Sequence, residues 1–146
     1  MSSSRILASL ASNARSHGAA STRPLTASRA FHASPAGRVV HKVKTAEEFQ
    51  KTVSGNDAVI VDCFAGWCGP CKQIAPMLEK YSEDAAFKDK VHFIKFDVDE
   101  LPAVAQALGV RAMPTFFFFR GGKKVDEMVG ANPRALLEAL RKVCSG

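Results

Sequence analysis

Two apolar runs constrain the fold of this chain more than any other feature, because both are uniform enough to be buried on two faces. Residues Ala58–Phe64 are rich in β-branched side chains and are interrupted only by Asp62, and Thr115–Phe119 contains four consecutive phenylalanines. Strands of this kind belong in the middle of a sheet that helices cover on both sides. A stacking platform for nucleic-acid bases is the alternative for the phenylalanines, and the buried strand is favoured.

Turn and capping signals divide residues 39–146 into five strands and four helices. Thr45 with Glu48 three residues later forms a capping box, Gly109 is placed to end a helix, and Asn132 is placed to begin one. Strands are predicted at Val39–Val43, Ala58–Phe64, Val91–Phe96, Thr115–Phe119 and Lys124–Val129, and helices at Thr45–Ser54, Cys68–Asp84, Asp99–Leu108 and from Asn132 onward. The order βαβαβαββα predicts one α/β domain over residues 39–146.

The charge of the chain is divided unevenly between its two ends. The 146 residues carry a net charge of +6, but residues 1–46 hold seven basic residues and no acidic one, whereas residues 47–146 hold 13 basic and 14 acidic residues. The basicity belongs to the N-terminus, so we do not expect a basic domain that binds nucleic acid. No run of eighteen apolar residues is present, so we do not expect a membrane-spanning helix.

Residues 1–38 have the composition of an organellar transit peptide. They are rich in Arg, Ser and Ala, lack acidic residues and show an amphipathic helical periodicity near their start. The stretch Arg29–Ser34 resembles a mitochondrial two-step processing site, which would remove Phe31–Arg38 in the second step. We therefore expect residues 1–38 to direct the chain to the mitochondrial matrix and to be disordered or cleaved. A disordered basic tail is the alternative, and a secretory signal fits poorly.

The four cysteines allow three interpretations. A secreted disulfide framework conflicts with the predicted leader, and a zinc site conflicts with the spacing, because only Cys68 and Cys71 form a Cys-x-x-Cys pair. No metal is therefore expected. The pair directly follows a predicted strand and opens a predicted helix, which favours a redox-active dithiol.

The position of the pair explains how it would react. Cys68 lies at the start of a helix, where free backbone N–H groups and the helix dipole stabilise a thiolate, the form that attacks a disulfide. Cys71 lies three residues later and therefore on the same helical face. Pro70 suits the first helical turn, Gly69 leaves space for a substrate sulfur, and Trp67 is expected to shield one side.

In this setting, Trp67-Cys68-Gly69-Pro70-Cys71-Lys72 resembles the active-site motif of the thioredoxin family, and the resemblance extends from about Val39 to Cys144. It implies a thioredoxin-like three-layer α/β/α sandwich, with a central mixed five-stranded sheet flanked by four helices. It also implies that Cys68 is the nucleophile, that Cys71 is the resolving thiol, and that the two form a redox-active disulfide.

The resemblance assigns roles to residues outside the motif as well. Asp62 would be a buried proton shuttle behind Cys71, and Lys95 would be its partner. The Met113–Pro114 bond would be cis, and its backbone would form with Val129-Gly130-Ala131 a groove that pairs with an extended substrate. The substrate-binding residues expected on this basis are Trp67, Gly69, Pro70, Met113, Pro114, Val129, Gly130 and Ala131.

Three residues depart from the family pattern or lie outside it. Cys63 stands where an aromatic residue is frequent, and alternation places it on the face opposite Asp62, so we expect it to be buried and inert. Gly66 stands where an acidic or polar residue is frequent. Cys144 falls near the end of the last helix, where it would be either inert or prone to oxidation.

The function that the resemblance implies is the reduction of protein disulfides by dithiol–disulfide exchange. No cofactor-binding motif is present, so the electrons would come from another protein. The resemblance implies that this donor protein is an NADPH-dependent thioredoxin reductase and that peroxiredoxins are among the clients. The domain is expected to act as a monomer. A disulfide oxidase or isomerase of the same superfamily is one alternative, and the Gly-Pro between the cysteines resembles the reducing members. A binding module that does not need its thiols is the other alternative.

Overall fold

The computed structural model describes residues 40–146. The strands are β1 (Val40–Lys42), β2 (Ala58–Phe64), β3 (His92–Asp97), β4 (Thr115–Arg120) and β5 (Lys123–Val129), and the helices are α1 (Ala46–Gly55), α2 (Gly69–Glu83), α3 (Pro102–Leu108) and α4 (Pro133–Ser145). Their order confirms the predicted βαβαβαββα arrangement. None of these helices is long and apolar enough to cross a membrane. The transit peptide predicted for residues 1–38 lies outside the described residues.

All five strands form a single mixed sheet in the order β1-β3-β2-β4-β5. The pairs β1–β3 and β3–β2 are parallel, and the pairs β2–β4 and β4–β5 are antiparallel. Strand β2 therefore lies at the centre, between β3 and β4, the second of which carries the phenylalanine run. The two parallel pairs need helical crossovers, which α1 and α2 provide.

The four helices cover the two faces of the sheet, which gives the predicted three-layer α/β/α sandwich. Alternation sends Phe116 and Phe118 to the face covered by α2 and α4, and Phe117 and Phe119 to the face covered by α1 and α3. All four phenylalanine rings are buried. The phenylalanines therefore contribute to the hydrophobic core on both faces of the sheet, and the alternative of an exposed stacking platform is wrong.

Three of the predicted capping sites are confirmed. The Thr45 hydroxyl accepts a hydrogen bond from the Glu48 N–H at 3.1 Å, and the Asn132 side chain accepts from the first N–H groups of α4. Gly109 ends α3 in a left-handed conformation with φ of 75°, which a glycine adopts without strain. Helix α2 runs on through Pro76.

The predicted start of α3 is wrong. The helix begins at Pro102 rather than at Asp99, because the segment before it forms a turn in which the Asp99 N–H bonds to the Asp97 carboxylate at 2.8 Å. Proline disfavours a helical conformation in the residue before it, so Leu101 stays outside the helix. The turn therefore places residues 97–101 at the carboxyl end of β3, beside the end of β2.

We expect Phe49→Ala to lower the free energy of unfolding by about 3 to 5 kcal/mol, because the buried ring of Phe49 packs edge-on against Phe96 and Phe119. Chemical denaturation of the full chain, with the disulfide kept oxidised, measures the effect. Lys51→Ala, at an exposed position of the same helix, is the matched control. Equal losses in the two variants would contradict the assignment of Phe49 to the core.

Candidate active site

The two cysteines of the motif lie where the central strand passes into a helix. Strand β2 ends at Phe64, and α2 begins at Gly69 with Cys68 as its N-cap. Pro70 occupies the first turn of the helix, where no intrahelical partner exists for the missing N–H. Cys68 and Cys71 are joined by a disulfide whose Cα atoms are 5.3 Å apart. The structure therefore brings together the two residues that the sequence predicts as the dithiol.

The helix terminus supplies a hydrogen-bond donor to the first sulfur. The Cys68 Sγ accepts from the Cys71 N–H at 3.2 Å, which satisfies one of the N–H groups that every helix leaves free at its start. The same donor and the positive end of the helix dipole stabilise negative charge on this sulfur when the disulfide is open. The pair is shielded from solvent, because Cys68 and Cys71 are only 3% and 4% exposed.

The cysteines are packed among loops from three sides of the site. Ala65 joins them in a small buried cluster, and Phe64, Val98 and Met113 pack against it. Met113 belongs to the segment before β4, and its bond to Pro114 is cis, as the family resemblance implies. The predicted groove residue Met113 is thus next to the dithiol.

The remaining groove residues lie along the ends of β4 and β5. The Gly130 N–H donates to the Pro114 carbonyl at 2.9 Å, and Gly130 has a φ of 99°, which favours glycine. Val129 pairs with Thr115 and leaves 60% of its surface exposed, although it is apolar. These contacts hold an accessible apolar edge at the end of β5, with Ala131 partly buried behind it.

The only tryptophan of the chain is exposed beside the dithiol. Trp67 is 70% exposed, and its indole Nε1–H donates to the Asp99 carboxylate at 3.0 Å. The hydrogen bond fixes the ring against the turn after β3. The sequence analysis missed Asp99 as a site residue, because a separation of 32 positions leaves no local pattern to connect the two.

The buried acid of β2 lies on the sheet face that α2 covers. Asp62 is 3% exposed, and its Oδ1 has no hydrogen-bond partner among residues 40–146. Burial raises the pKa of Asp62 to about 7, and the positive charge of Lys95 opposes that rise. Lys95 is the register partner of Asp62 on β3, but no salt bridge joins them. The two side chains are on neighbouring strands without an ion pair, so Lys95 acts on Asp62 through its charge and not through a direct contact.

The two other cysteines are placed apart from the dithiol. Cys63 is fully buried on the opposite face, in the core beneath α1 and α3, and burial raises the pKa of its thiol. Cys144 is partly buried near the end of α4, where burial again raises its pKa while Lys90 and Arg120 oppose the rise. In both thiols, burial favours the uncharged form. Within residues 40–146, no group of three or more His, Cys, Asp or Glu side chains could hold a metal ion.

Comparison with known proteins places these features in one family. A family model described as thioredoxin matches residues 40–142. Thioredoxin Asp f 29 of Aspergillus fumigatus is 52% identical over 103 residues, which cover 70% of this chain and 93% of the relative. Thioredoxin-2 of Pyricularia oryzae is 48% identical over 111 residues, which cover 76% of this chain. The matched region spans only 63% of the length of that relative.

Solved structures agree with the sequence relatives. The thioredoxin of Malassezia sympodialis superposes with a TM-score of 0.69 at 44% identity, covering 78% of this chain and 98% of that one. Mitochondrial thioredoxin 3 of Saccharomyces cerevisiae, in its oxidised form, gives a TM-score of 0.66 at 38% identity, covering 70% and 94%. A chain from a study of thiol resolution in the yeast mitochondrial 1-Cys peroxiredoxin gives 0.67 at 36%, covering 73% and 99%.

The fold, the disulfide at the start of α2 and the match over residues 40–142 all agree. Thioredoxins bind no cofactor and are reduced by thioredoxin reductase. The chain belongs to the thioredoxin family of thiol–disulfide oxidoreductases.

Proposed function

We propose that this chain reduces protein disulfides through Trp67-Cys68-Gly69-Pro70-Cys71. The observation that carries the proposal is the Cys68–Cys71 disulfide at the N-terminus of α2, next to an accessible groove formed by the ends of β4 and β5. This disulfide is the oxidised form of the dithiol, and its reduction produces the active form. Each cycle then moves two electrons from the dithiol to the client.

In the first step, the Cys68 thiolate attacks one sulfur of the client disulfide. A mixed disulfide forms between Cys68 and that sulfur, and the other client sulfur leaves as a thiolate. The Cys71 N–H, which lies 3.2 Å from the Cys68 sulfur in the oxidised form, supplies stabilisation to the attacking thiolate. Client backbone pairs with the edge at Met113-Pro114 and Val129-Gly130-Ala131 in the manner of an added strand, while Trp67 flanks the reacting sulfur.

In the second step, Cys71 attacks the Cys68 sulfur of the mixed disulfide. The bond between Cys71 and Cys68 re-forms, and the client sulfur that was bonded to Cys68 leaves as a thiolate. Asp62 accepts the proton of Cys71, a role that suits a carboxylate whose pKa is near neutrality. The positive charge of Lys95, the register partner of Asp62 on β3, favours the ionised form of Asp62. The order of attack follows from the position of Cys68 at the N-cap.

Electrons reach the dithiol from NADPH through thioredoxin reductase, and we propose peroxiredoxins among the clients. A structural neighbour of this chain comes from work on a yeast mitochondrial 1-Cys peroxiredoxin and its thioredoxin and glutathione systems, which supports that class of client. A disulfide oxidase or isomerase remains the second candidate, because the same two cysteines serve both directions of exchange. The Gly-Pro between them favours the reductase.

We also propose that the working domain is residues 39–146 and that it acts in the mitochondrial matrix. The support is the Arg-rich, acid-free composition of residues 1–38 and the likeness of the domain to a mitochondrial thioredoxin of Saccharomyces cerevisiae. Residues 39–146 alone carry a net charge close to zero, since five of the basic residues lie in the leader.

Cys71→Ser should trap the chain on its clients, because the mixed disulfide at Cys68 then lacks its resolving thiol. We expect adducts on non-reducing gels when the full-length variant is incubated in mitochondrial extract, and their loss on reduction. The double variant Cys68→Ser, Cys71→Ser is the matched control and should form none. Adducts that persist in this control would run through Cys63 or Cys144 and would show that the site is misassigned.

The direction of catalysis has its own test. With NADPH and thioredoxin reductase, the full chain should reduce insulin, and Cys68→Ser should abolish turnover. A wild-type chain that fails in this assay but oxidises reduced, unfolded substrates would favour the oxidase. A double cysteine variant that keeps its cellular function would favour the thiol-independent binding module.

Asp62→Asn should remove a pH dependence of stability. The native state holds the Asp62 proton up to a pKa of about 7, whereas an unfolded chain releases it near 3.8, so the free energy of unfolding falls as pH rises between these values. Relative to wild type, Asp62→Asn should gain stability across this window, by on the order of 4 kcal/mol above pH 7. Denaturation of the oxidised proteins at pH 4, 6 and 8 measures it. A constant difference at the three pH values would show that Asp62 does not titrate this way.

The leader is tested by fusing residues 1–38 to a fluorescent protein. We expect import into the matrix and a shorter reporter after processing. A matched fusion in which Arg5, Arg15, Arg23, Arg29 and Arg38 are replaced by Gln should stay outside, because import depends on the positive charge. Cytosolic fluorescence from both fusions would exclude the proposed targeting.

A further inference from the structure

Three charged side chains form a row across the parallel half of the sheet. Lys42 on β1 is the register partner of Lys95 on β3, and Lys95 is the register partner of Asp62 on β2. Register partners project to the same face of a sheet, so all three lie on the face that α2 covers. Helix α2 also carries Cys71. The row therefore leads from the edge of the sheet to the buried acid behind the dithiol.

The two lysines of the row share a neighbour, the ring of Phe64. Both ammonium groups lie 5.8 Å from the centroid of this ring, which stands two residues after Asp62 on the same face of β2. Like charges on adjacent strands repel each other and need a counter-ion nearby. Phe64 attracts both groups but neutralises neither.

The counter-ion of the row is Glu100, and it is bonded to the outer lysine. The Lys42 Nζ donates to the Glu100 carboxylate at 3.0 Å, across 58 positions of sequence. Among residues 40–146, Lys95 forms no salt bridge with any carboxylate. Two acids lie next to the inner lysine on this face: Asp62 on β2, and Asp97, whose carboxylate accepts from the Asp99 N–H at 2.8 Å. The Glu100 carboxylate is held one strand away, at Lys42.

We propose that Lys42 is a positioning residue for the resolving step: by holding the Glu100 carboxylate, it keeps Lys95 directed at Asp62. The inference rests on the proposed role of Asp62 as proton acceptor for Cys71. Without Lys42, Glu100 is free to pair with Lys95 and to draw its ammonium away from Asp62. Without Glu100, the unpaired Lys42 repels Lys95 toward Asp62.

Strands β4 and β5 place no charged side chain beside Asp62 in the register. From β4 the register partner is Phe116, and beyond it on β5 stands Met128. From α2 the facing ionisable groups are the two thiols of the dithiol, which are absorbed in the disulfide in the oxidised form. In that form, Lys95 is the charge that acts on Asp62. Lys42 and Glu100 stand beyond Lys95, and Asp97 lies two residues after Lys95 on the same face of β3.

The two single variants should shift Asp62 in opposite directions. In the oxidised full chain at low ionic strength, Lys42→Met should raise the titration midpoint of the Asp62 carboxyl by about half a pH unit, and Glu100→Gln should lower it by a similar amount. Carbon-detected NMR of the side-chain carboxyl measures the midpoint. Lys44→Met, an exposed cation that follows β1, is the matched control and should leave it unchanged. The absence of a shift in Lys42→Met would overturn the proposal.

A second background separates positioning from a direct electrostatic effect. If Lys42 acts through Lys95, then Lys42→Met should have no effect in a chain that already carries Lys95→Met. A shift of the same size in both backgrounds would mean that Lys42 acts on Asp62 directly, and would overturn the proposal.

The proton-acceptor role of Asp62 is tested separately, by the pH profile of single-turnover insulin reduction. A pH profile that shifts together with the Asp62 midpoint in Lys42→Met and in Glu100→Gln supports both the positioning of Lys95 and the proton-acceptor role of Asp62. Shifted midpoints with an unmoved profile support the positioning of Lys95 and contradict the role of Asp62.

Discussion

The structure depends on the burial of strand β2 on both faces. It lies between β3 and β4, six of its seven residues are buried, and the helices of both outer layers pack against it. Because both its faces and both its edges are occupied, the strand cannot slip in register without exposing apolar side chains and unpairing its backbone. The end of β2 is therefore held in place, and Cys68, the first cysteine of the dithiol, follows it by four residues.

The same burial creates the chemistry of the site. A carboxyl in the middle of this strand has little contact with water, so its charged form is disfavoured and its pKa rises toward neutrality. The ionised acid is a cost to the stability of the domain, and the positive charge of Lys95 offsets only part of it. An apolar residue at this position would avoid that cost, and the proposed exchange of a proton with Cys71 gives a reason for the acid. Buried ionisable groups with a pKa shifted in this way are typical of functional sites.

Much of the fold could be predicted, because the patterns that specify it are local. The apolar runs of β2 and β4 specify a doubly covered sheet, the Thr45 and Asn132 caps mark two helix starts, and Gly109 marks a helix end. The start of α3 was predicted three residues too early, because Asp99 suits both a helix N-terminus and the turn that it forms. The local signal for the later start is Pro102, which keeps Leu101 outside the helix.

The sequence by itself determined the order of the elements, the position of the dithiol at a helix N-terminus and, through the resemblance of its motif, the family. These follow from the period of the apolar residues and from residue types at fixed short spacings. The tertiary structure alone decided which other distant side chains meet: Trp67 with Asp99, and Lys42 with Glu100. The physical reason is that strand order and register bring together residues tens of positions apart, and no local pattern in the chain encodes that pairing.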